Sequence, residues 1–240
     1  MPVGVIIDAL ATFLGGIIGS LLTRYIDDRL KDNLTMIFGL CAIGMGIVSV
    51  ILLKNLPAVI LSIIAGTICG LGLHIGDGIR KLFGCLEGPL SGFMTVKEED
   101  MDEYISSFIT ILILFCASAN GVYGSMDAGF SHDHTILISK AILDFFTAMI
   151  FACNLGRIVS LIALPQFVIY LIIYMLGSTI YPMMSPVMIA DFKGCGGLLM
   201  IATGMKMLKI KDFPLADMIM SLLFVIPVSH IWTVITSVLL

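Results

Sequence analysis

Thr135-Ile136-Leu137-Ile138-Ser139-Lys140-Ala141-Ile142-Leu143-Asp144-Phe145-Phe146-Thr147-Ala148-Met149-Ile150-Phe151-Ala152-Cys153-Asn154-Leu155 decides how this chain is read. It is long and apolar enough to cross a bilayer, which takes about 20 residues. Yet a lysine and an aspartate stand inside it. Lys140, Asp144, Thr147, Phe151 and Asn154 follow spacings of 4, 3, 4 and 3. At 3.6 residues per turn they share one helix face, and Lys140 and Asp144 can pair as i, i+4 neighbours. An ionisable residue at bilayer depth costs about 2.5–3.5 kcal/mol on translocon scales, so it is a functional candidate by default. Either this face lines a cavity or ion-coupled site, or the pair neutralises itself against another helix. A buried pair adds little stability, which favours the first reading.

The rest of the chain agrees with a membrane setting. Of 240 residues, 59% are apolar and 12% charged, against roughly 45–50% and 25% in soluble domains. Mean hydropathy is +1.09. The net charge of -4 comes with no basic cluster, so nucleic acid is not an expected partner. The six cysteines (Cys41, Cys69, Cys85, Cys116, Cys153, Cys195) form no CxxC pair. They read as free thiols, without disulfides or a metal site. No basic residue precedes Arg24, so no cleavable signal peptide is expected. There is no Walker motif, GxSxG elbow or HExxH, and no nucleophile–base pair. The reading is therefore of a non-enzyme without a cofactor. The sixteen methionines are scattered, which suits packing better than copper transport.

About eight segments qualify as spans: 3–24, 33–53, 56–76, 104–124, 135–155, 161–181, 191–209 and 214–238. The predicted fold class is an all-α polytopic membrane protein, a single transmembrane domain over 1–240. Pro165, near the start of the sixth span, leaves seven spans and one re-entrant piece as the alternative. Lys and Arg concentrate in alternate connections (Arg24, Arg29, Lys31; Arg80, Lys81, Lys97; Arg157; Lys206, Lys209, Lys211), leaving Lys54 and Lys193 in the others. The positive-inside rule then puts both termini outside. Connection 77–103 is cytoplasmic on this scheme. Its first part, Gly78–Phe83, suits the interface plane; Lys97–Glu103 reads as a solvated, acidic start to the fourth span.

Two hairpins look alike. Gly39-Leu40 through Met45-Gly46 to Asn55-Leu56-Pro57 matches Gly196-Gly197 through Gly204-Met205 to Asp212-Phe213-Pro214. The first turn falls outside and the second inside, so they are expected as inverted copies. Spans 1–3 would pair with 6–8 around a central hairpin of spans 4 and 5. Inverted repeats are the plan of many secondary transporters, with the site near the midplane. Any two glycine-rich membrane hairpins also resemble each other.

Further polar candidates lie on other spans. Ser118, Asn120, Gly121 and Gly124 crowd the outer end of the fourth span, where an opened turn would bare backbone groups beside Asp144. Asp8 shares a face of the first span with Thr12, Gly15 and Gly19; it either joins a site or reaches the interface. Gln166, Tyr170 and Tyr174 line one side of the sixth span, and Tyr170 and Tyr174 lie deep enough to border a polar path. Asp191 reads as an N-cap and Asp217 as a helix-dipole partner. Ser131-His132-Asp133-His134 could hold a divalent ion, though such a short cluster is usually a solvated turn.

From Phe115-Cys116-Ala117-Ser118, through Ile136–Lys140, to Leu143–Gly156, the sequence resembles the YqgA-like family, a bacterial inner-membrane family of the domain-of-unknown-function type. Ile37–Leu40, Asn55–Pro57, Ala190–Phe192 and Gly196–Leu199 extend the likeness over nearly the whole chain. The resemblance implies a multi-pass protein of the bacterial plasma membrane and brings Lys140, Asp144 and Thr147 into a family-like motif. It brings no activity. The expectation is thus a small secondary transporter or channel for a small polar solute or ion. Asp144, Lys140, Thr147, Asn120, Ser118, Asn154, Asp8 and Tyr170 are its candidate site. The alternative is a non-transporting scaffold or assembly factor with a dry interior. Lipid is the certain partner; a homo-oligomer fits the small size and glycine-rich faces.

Overall fold

The computed structural model describes residues 1–23, 28–84, 108, 111–112, 114–116 and 118–239. Among them the regular structure is helical: α1 (Val3–Leu22), α2 (Asp28–Val50), α3 (Leu56–Gly72), α4 (Ile75–Gly84), α5 (Ala119–Ser131), α6 (Thr135–Leu155), α7 (Ala163–Ile180), α8 (Pro186–Met207), α9 (Leu215–Met218) and α10 (Met220–Leu239). Two 3-10 turns, Gly156–Ile162 and Tyr181–Met183, link α6 to α7 and follow α7. Five helical runs are long and apolar enough to cross a membrane; one of them, Thr135–Ile180, covers α6 and α7 together. This is an all-α polytopic membrane protein. Lys97–Glu103, Cys85 and the start of the fourth span lie outside the described residues.

Local sequence sets the helix ends. Gly156, at φ +71, turns the chain out of α6 in a conformation that glycine adopts without strain. Pro165 falls in the first turn of α7, where its missing N–H costs nothing. The helix then runs its full 18 residues, about 27 Å at 1.5 Å per residue. Ser185 caps α8, accepting from the Met188 N–H at 3.3 Å, with Pro186 next to it. That start is five residues earlier than the sequence suggested. Asp191 is therefore no N-cap of its own helix; it lies inside α8. Lys193, assigned to an outer connection, also lies within α8, 3.1 Å from buried Asp127.

Glycines fix how the helices pair and in which direction. A Cβ on Gly15 would strike the Phe145 carbonyl, and one on Gly19 the Met149 carbonyl. The two contacts advance together, so α1 and α6 run parallel. A Cβ on Gly121 would strike the Tyr170 side chain and one on Gly177 the Met126 carbonyl; these contacts also advance together, so α5 and α7 are parallel too. Gly39 packs on the carbonyl of Gly204 and Gly46 on that of Gly197, each reciprocally; α2 and α8 are antiparallel. Gly66 on Ser221 and Gly70 on Asp217 make α3 antiparallel to α9 and α10. All four relations are those of a chain that crosses eight times in alternation. Small residues let backbones approach like this where lipid offers no hydrophobic drive for association. Gly44, Gly72 and Gly78 take no part in these contacts and face open space.

The packed interior lies around α8, where Phe192, Leu199 and Met200 meet Tyr123, Phe130 and Leu222. The outward faces are apolar: Leu10, Leu40, Val48, Ile68, Ile142, Leu164 and Ile172 are all exposed, as a lipid-facing surface requires.

Candidate functional site

The close approach of α1 to α6 brings Asp8 onto Lys140. Asp8 is fully buried and Lys140 is 3% exposed, with Nζ 3.3 Å from Asp8 Oδ2. The same ammonium pairs with Asp144 Oδ2, one turn along α6, and sits 5.1 Å from the centre of the Tyr170 ring, a favourable cation–π distance. The Gln166 amide of α7 spans the two acids: Nε2 is 2.8 Å from Asp8 Oδ2 and 2.8 Å from Asp144 Oδ2. Two carboxylates thus share one ammonium and one amide, all through their Oδ2 atoms. Asp8 Oδ1 and Gln166 Oε1 are buried with no hydrogen-bond partner among the described residues.

Tyr170 ties this cluster to a break in the fourth span. Its hydroxyl donates to the Phe115 carbonyl, a group at the end of helical residues 114–116. Ser118 is extended (φ -73, ψ 135) and caps α5, accepting from the Gly121 N–H at 3.1 Å. Its hydroxyl lies 3.2 Å from that of Tyr170. The interruption frees the Phe115 carbonyl, and the Tyr170 hydroxyl satisfies it, as buried backbone groups demand. The ring fits because Gly121 has no Cβ; any Cβ there would collide with Tyr170.

A cavity of about 50 Å³ opens beside the break, room for one or a few waters. Ser118, Asn120, Lys140, Asp144 and Thr147 lie on its wall, with Thr203 of α8 opposite. The structure thus gathers five of the eight sequence candidates at one hollow, and Asp8 and Tyr170 just behind it. Asn154 stands apart, on an exposed position near the end of α6. Sequence reasoning noted Gln166 on one side of the sixth span but left it out of the site, and passed over Thr203. The signal for Gln166 was available: a lone amide four residues before Tyr170, inside an apolar run. Thr203 gave none, since its hydroxyl bonds the Leu199 carbonyl like many helical threonines.

Three other carboxylates behave differently. Asp191 Oδ1 accepts from the Lys54 and Asn55 N–H groups at 3.0 and 2.8 Å, and Oδ2 from Asn55 Nδ2 and the Ser229 hydroxyl at 2.9 and 2.6 Å. It caps the start of α3 from across the interior. Asp217 does likewise for α4, accepting from the Gly76 N–H at 2.9 Å. In the loop after α5, Asp133 Oδ1 accepts from the Thr135 N–H and hydroxyl at 2.9 and 2.6 Å. Those bonds hold its carboxyl below the usual range. Among the described residues no three His, Cys, Asp or Glu side chains gather as a metal site.

Fold and cluster together define a polytopic α-helical membrane protein with a buried, incompletely satisfied group of ionisable side chains in its interior. The chain belongs to the family described as protein of unknown function (DUF554), whose model matches residues 3–230. It is similar to "Uncharacterized protein YqgA" of Escherichia coli (strain K12), 39% identical over 97% of this chain and 98% of that one. It is also similar to "Uncharacterized membrane protein YdfK" of Bacillus subtilis (strain 168), 24% identical over 92% of each. No solved structure matches the chain.

Proposed function

We propose that the protein is a small secondary transporter, moving a small polar solute or ion through the cavity beside Asp144, with a cation or proton bound at the Asp8–Lys140–Asp144–Gln166 cluster. The carrying observation is that cluster: two carboxylates to one ammonium, with buried acceptors left over, open on one side to a small hollow. A merely structural pair would be closed and balanced, because unpaired buried charge is costly. Lys140 holds the charge of the site near balance. Ser118, Asn120 and Thr147 offer neutral ligands, and the positive end of α5 adds a partial charge.

An internal two-fold supports the reading. Gly39 and Gly197, Gly46 and Gly204, Gly19 and Gly177, and Asp8 and Gln166 are each 158 residues apart. Gly19 rests on the Met149 carbonyl as Gly177 rests on that of Met126, and the Gly39–Gly204 contact is the copy of Gly197–Gly46. On this relation the Asp8–Gln166 hydrogen bond maps onto itself. It then lies on the axis, at the midplane where inverted-repeat transporters hold their ligands beside a discontinuous helix. The charge bias of the connections supports a placement with both termini outside.

Flux assays on purified protein in liposomes test this. Under imposed pH or sodium gradients, a panel of small amino acids, organic acids and inorganic ions should include at least one that accumulates. Asp144→Asn should abolish that uptake while expression and folding persist. Full uptake by Asp144→Asn would sink the assignment. No flux for any solute would favour the scaffold.

A further inference from the structure

Two orphaned atoms say more about the bound ion. Asp8 Oδ2 already accepts from Gln166 Nε2 at 2.8 Å. The atoms left over on the two groups are Asp8 Oδ1 and Gln166 Oε1, both acceptors and both without a partner. A carboxylate and an amide cannot satisfy each other fully, since together they lack one donor. A carboxylic acid and an amide can: the amide N–H bonds one acid oxygen, and the acid O–H bonds the amide oxygen, closing a ring. One proton on Asp8 Oδ1 supplies the missing donor. It also neutralises the cluster, leaving the Asp144 carboxylate against the Lys140 ammonium.

Building on the transport reading above, we propose that Asp8 carries the coupling proton, held as a carboxylic acid in a cyclic pair with the Gln166 amide. The titratable groups facing it are Lys140 and Asp144 of α6 and Tyr170 of α7, with Cys116 within electrostatic range. Asp144 is 13% exposed and stands on the cavity wall, whereas Asp8 is sealed behind it. The proton therefore leaves Oδ1 of Asp8 for the Asp144 carboxylate and passes from there to cavity water; loading reverses the path. Loss of the proton leaves net negative charge and two unmatched acceptors on the contact between α1 and α7. That penalty is a drive for the two halves to shift. A metal cation is a poorer occupant, because both Oδ2 atoms are already turned to the Lys140 ammonium and the Gln166 N–H.

Infrared spectroscopy on protein labelled with ¹³C in the aspartate carboxyls, in lipid nanodiscs at neutral pH, reads the proton directly. A protonated-carboxyl C=O band should appear, shift with the label and vanish in Asp8→Asn, which leaves the Lys140–Asp144 pair intact. Asp8→Asn should fold, since the introduced amide pairs with Gln166 as the acid does, and pH-driven uptake should be lost. Should that variant not fold, Gln166→Leu serves instead: the band should survive and move to higher frequency as the acid loses its acceptor. Absence of the band, or its persistence unchanged in Asp8→Asn, overturns the proposal. So does a melting temperature that rises with sodium chloride over choline chloride in wild type but not in Asp8→Asn, which would place a metal ion there. A band without flux would sink the transport reading and leave the acid–amide pair standing. Solute uptake without the band would do the reverse.

Discussion

Asp191 and Asp8 are equally buried, and they are held in opposite ways. Asp191 receives four hydrogen bonds from neutral donors, two on each oxygen. Asp8 receives its bonds on one oxygen from donors it shares with Asp144, and its other oxygen receives none. The first arrangement can hold a fixed charge without a counterion, because several N–H and O–H dipoles replace water. The second leaves acceptors unmet, and the proton we propose there supplies the missing donor. On our proposal, saturation marks a strut and a deficit marks a site that changes state.

Removing a shared cation should break the second arrangement most severely. Lys140→Met leaves Asp144 without its partner, and orphaning one member of a buried pair costs about 3–5 kcal/mol. The apparent melting temperature in detergent should fall steeply. Asp144→Asn placed on top should restore most of the loss, since the double variant has no lone charge. Additive losses in the double-mutant cycle would show that the two side chains do not act as a pair.

Asp191→Ala comes next. It strands the Ser229 hydroxyl and the donors at the start of α3, at about 2–3 kcal/mol after water reaches the outer ones. Its cost should appear in thermal stability alone, with uptake per folded molecule unchanged. Loss of uptake in a stably folded Asp191→Ala protein would erase the distinction between strut and site.

How much of this was legible in the sequence follows from the range of the forces involved. The spans could be read because lipid acts on every residue of a helix at once. Lys140 and Asp144 could be read because a helix fixes i and i+4 by local geometry. Asp8 could be flagged, but its role depends on Gly15 and Gly19 meeting α6, a contact between segments some 130 residues apart. Asp191 was misread for the same reason. An aspartate near a helix start suggests a cap for that helix, whereas its hydrogen bonds go to α3. Gln166 is the plainest case: neutral and single, it gains meaning only when two acids arrive on its amide.

The comparison extends to an exposed aspartate bonded on one oxygen, where the smallest effect is expected. Asp133 accepts from the Thr135 N–H and hydroxyl at the start of α6, in water rather than lipid. A capping carboxylate is worth about 0.5–1 kcal/mol, and exposure keeps it at the low end. Because those bonds lower its folded pKa relative to an unfolded value of about 3.9, the contribution is full above about pH 4. It fades as pH falls through the folded value. Asp133→Ala should therefore melt slightly earlier than wild type at neutral pH, and the gap should close on acidification. A gap that stays constant into strong acid would assign the effect to packing rather than charge. The bonds to Asp133 would then differ in kind from those to Asp191, which act where water is excluded.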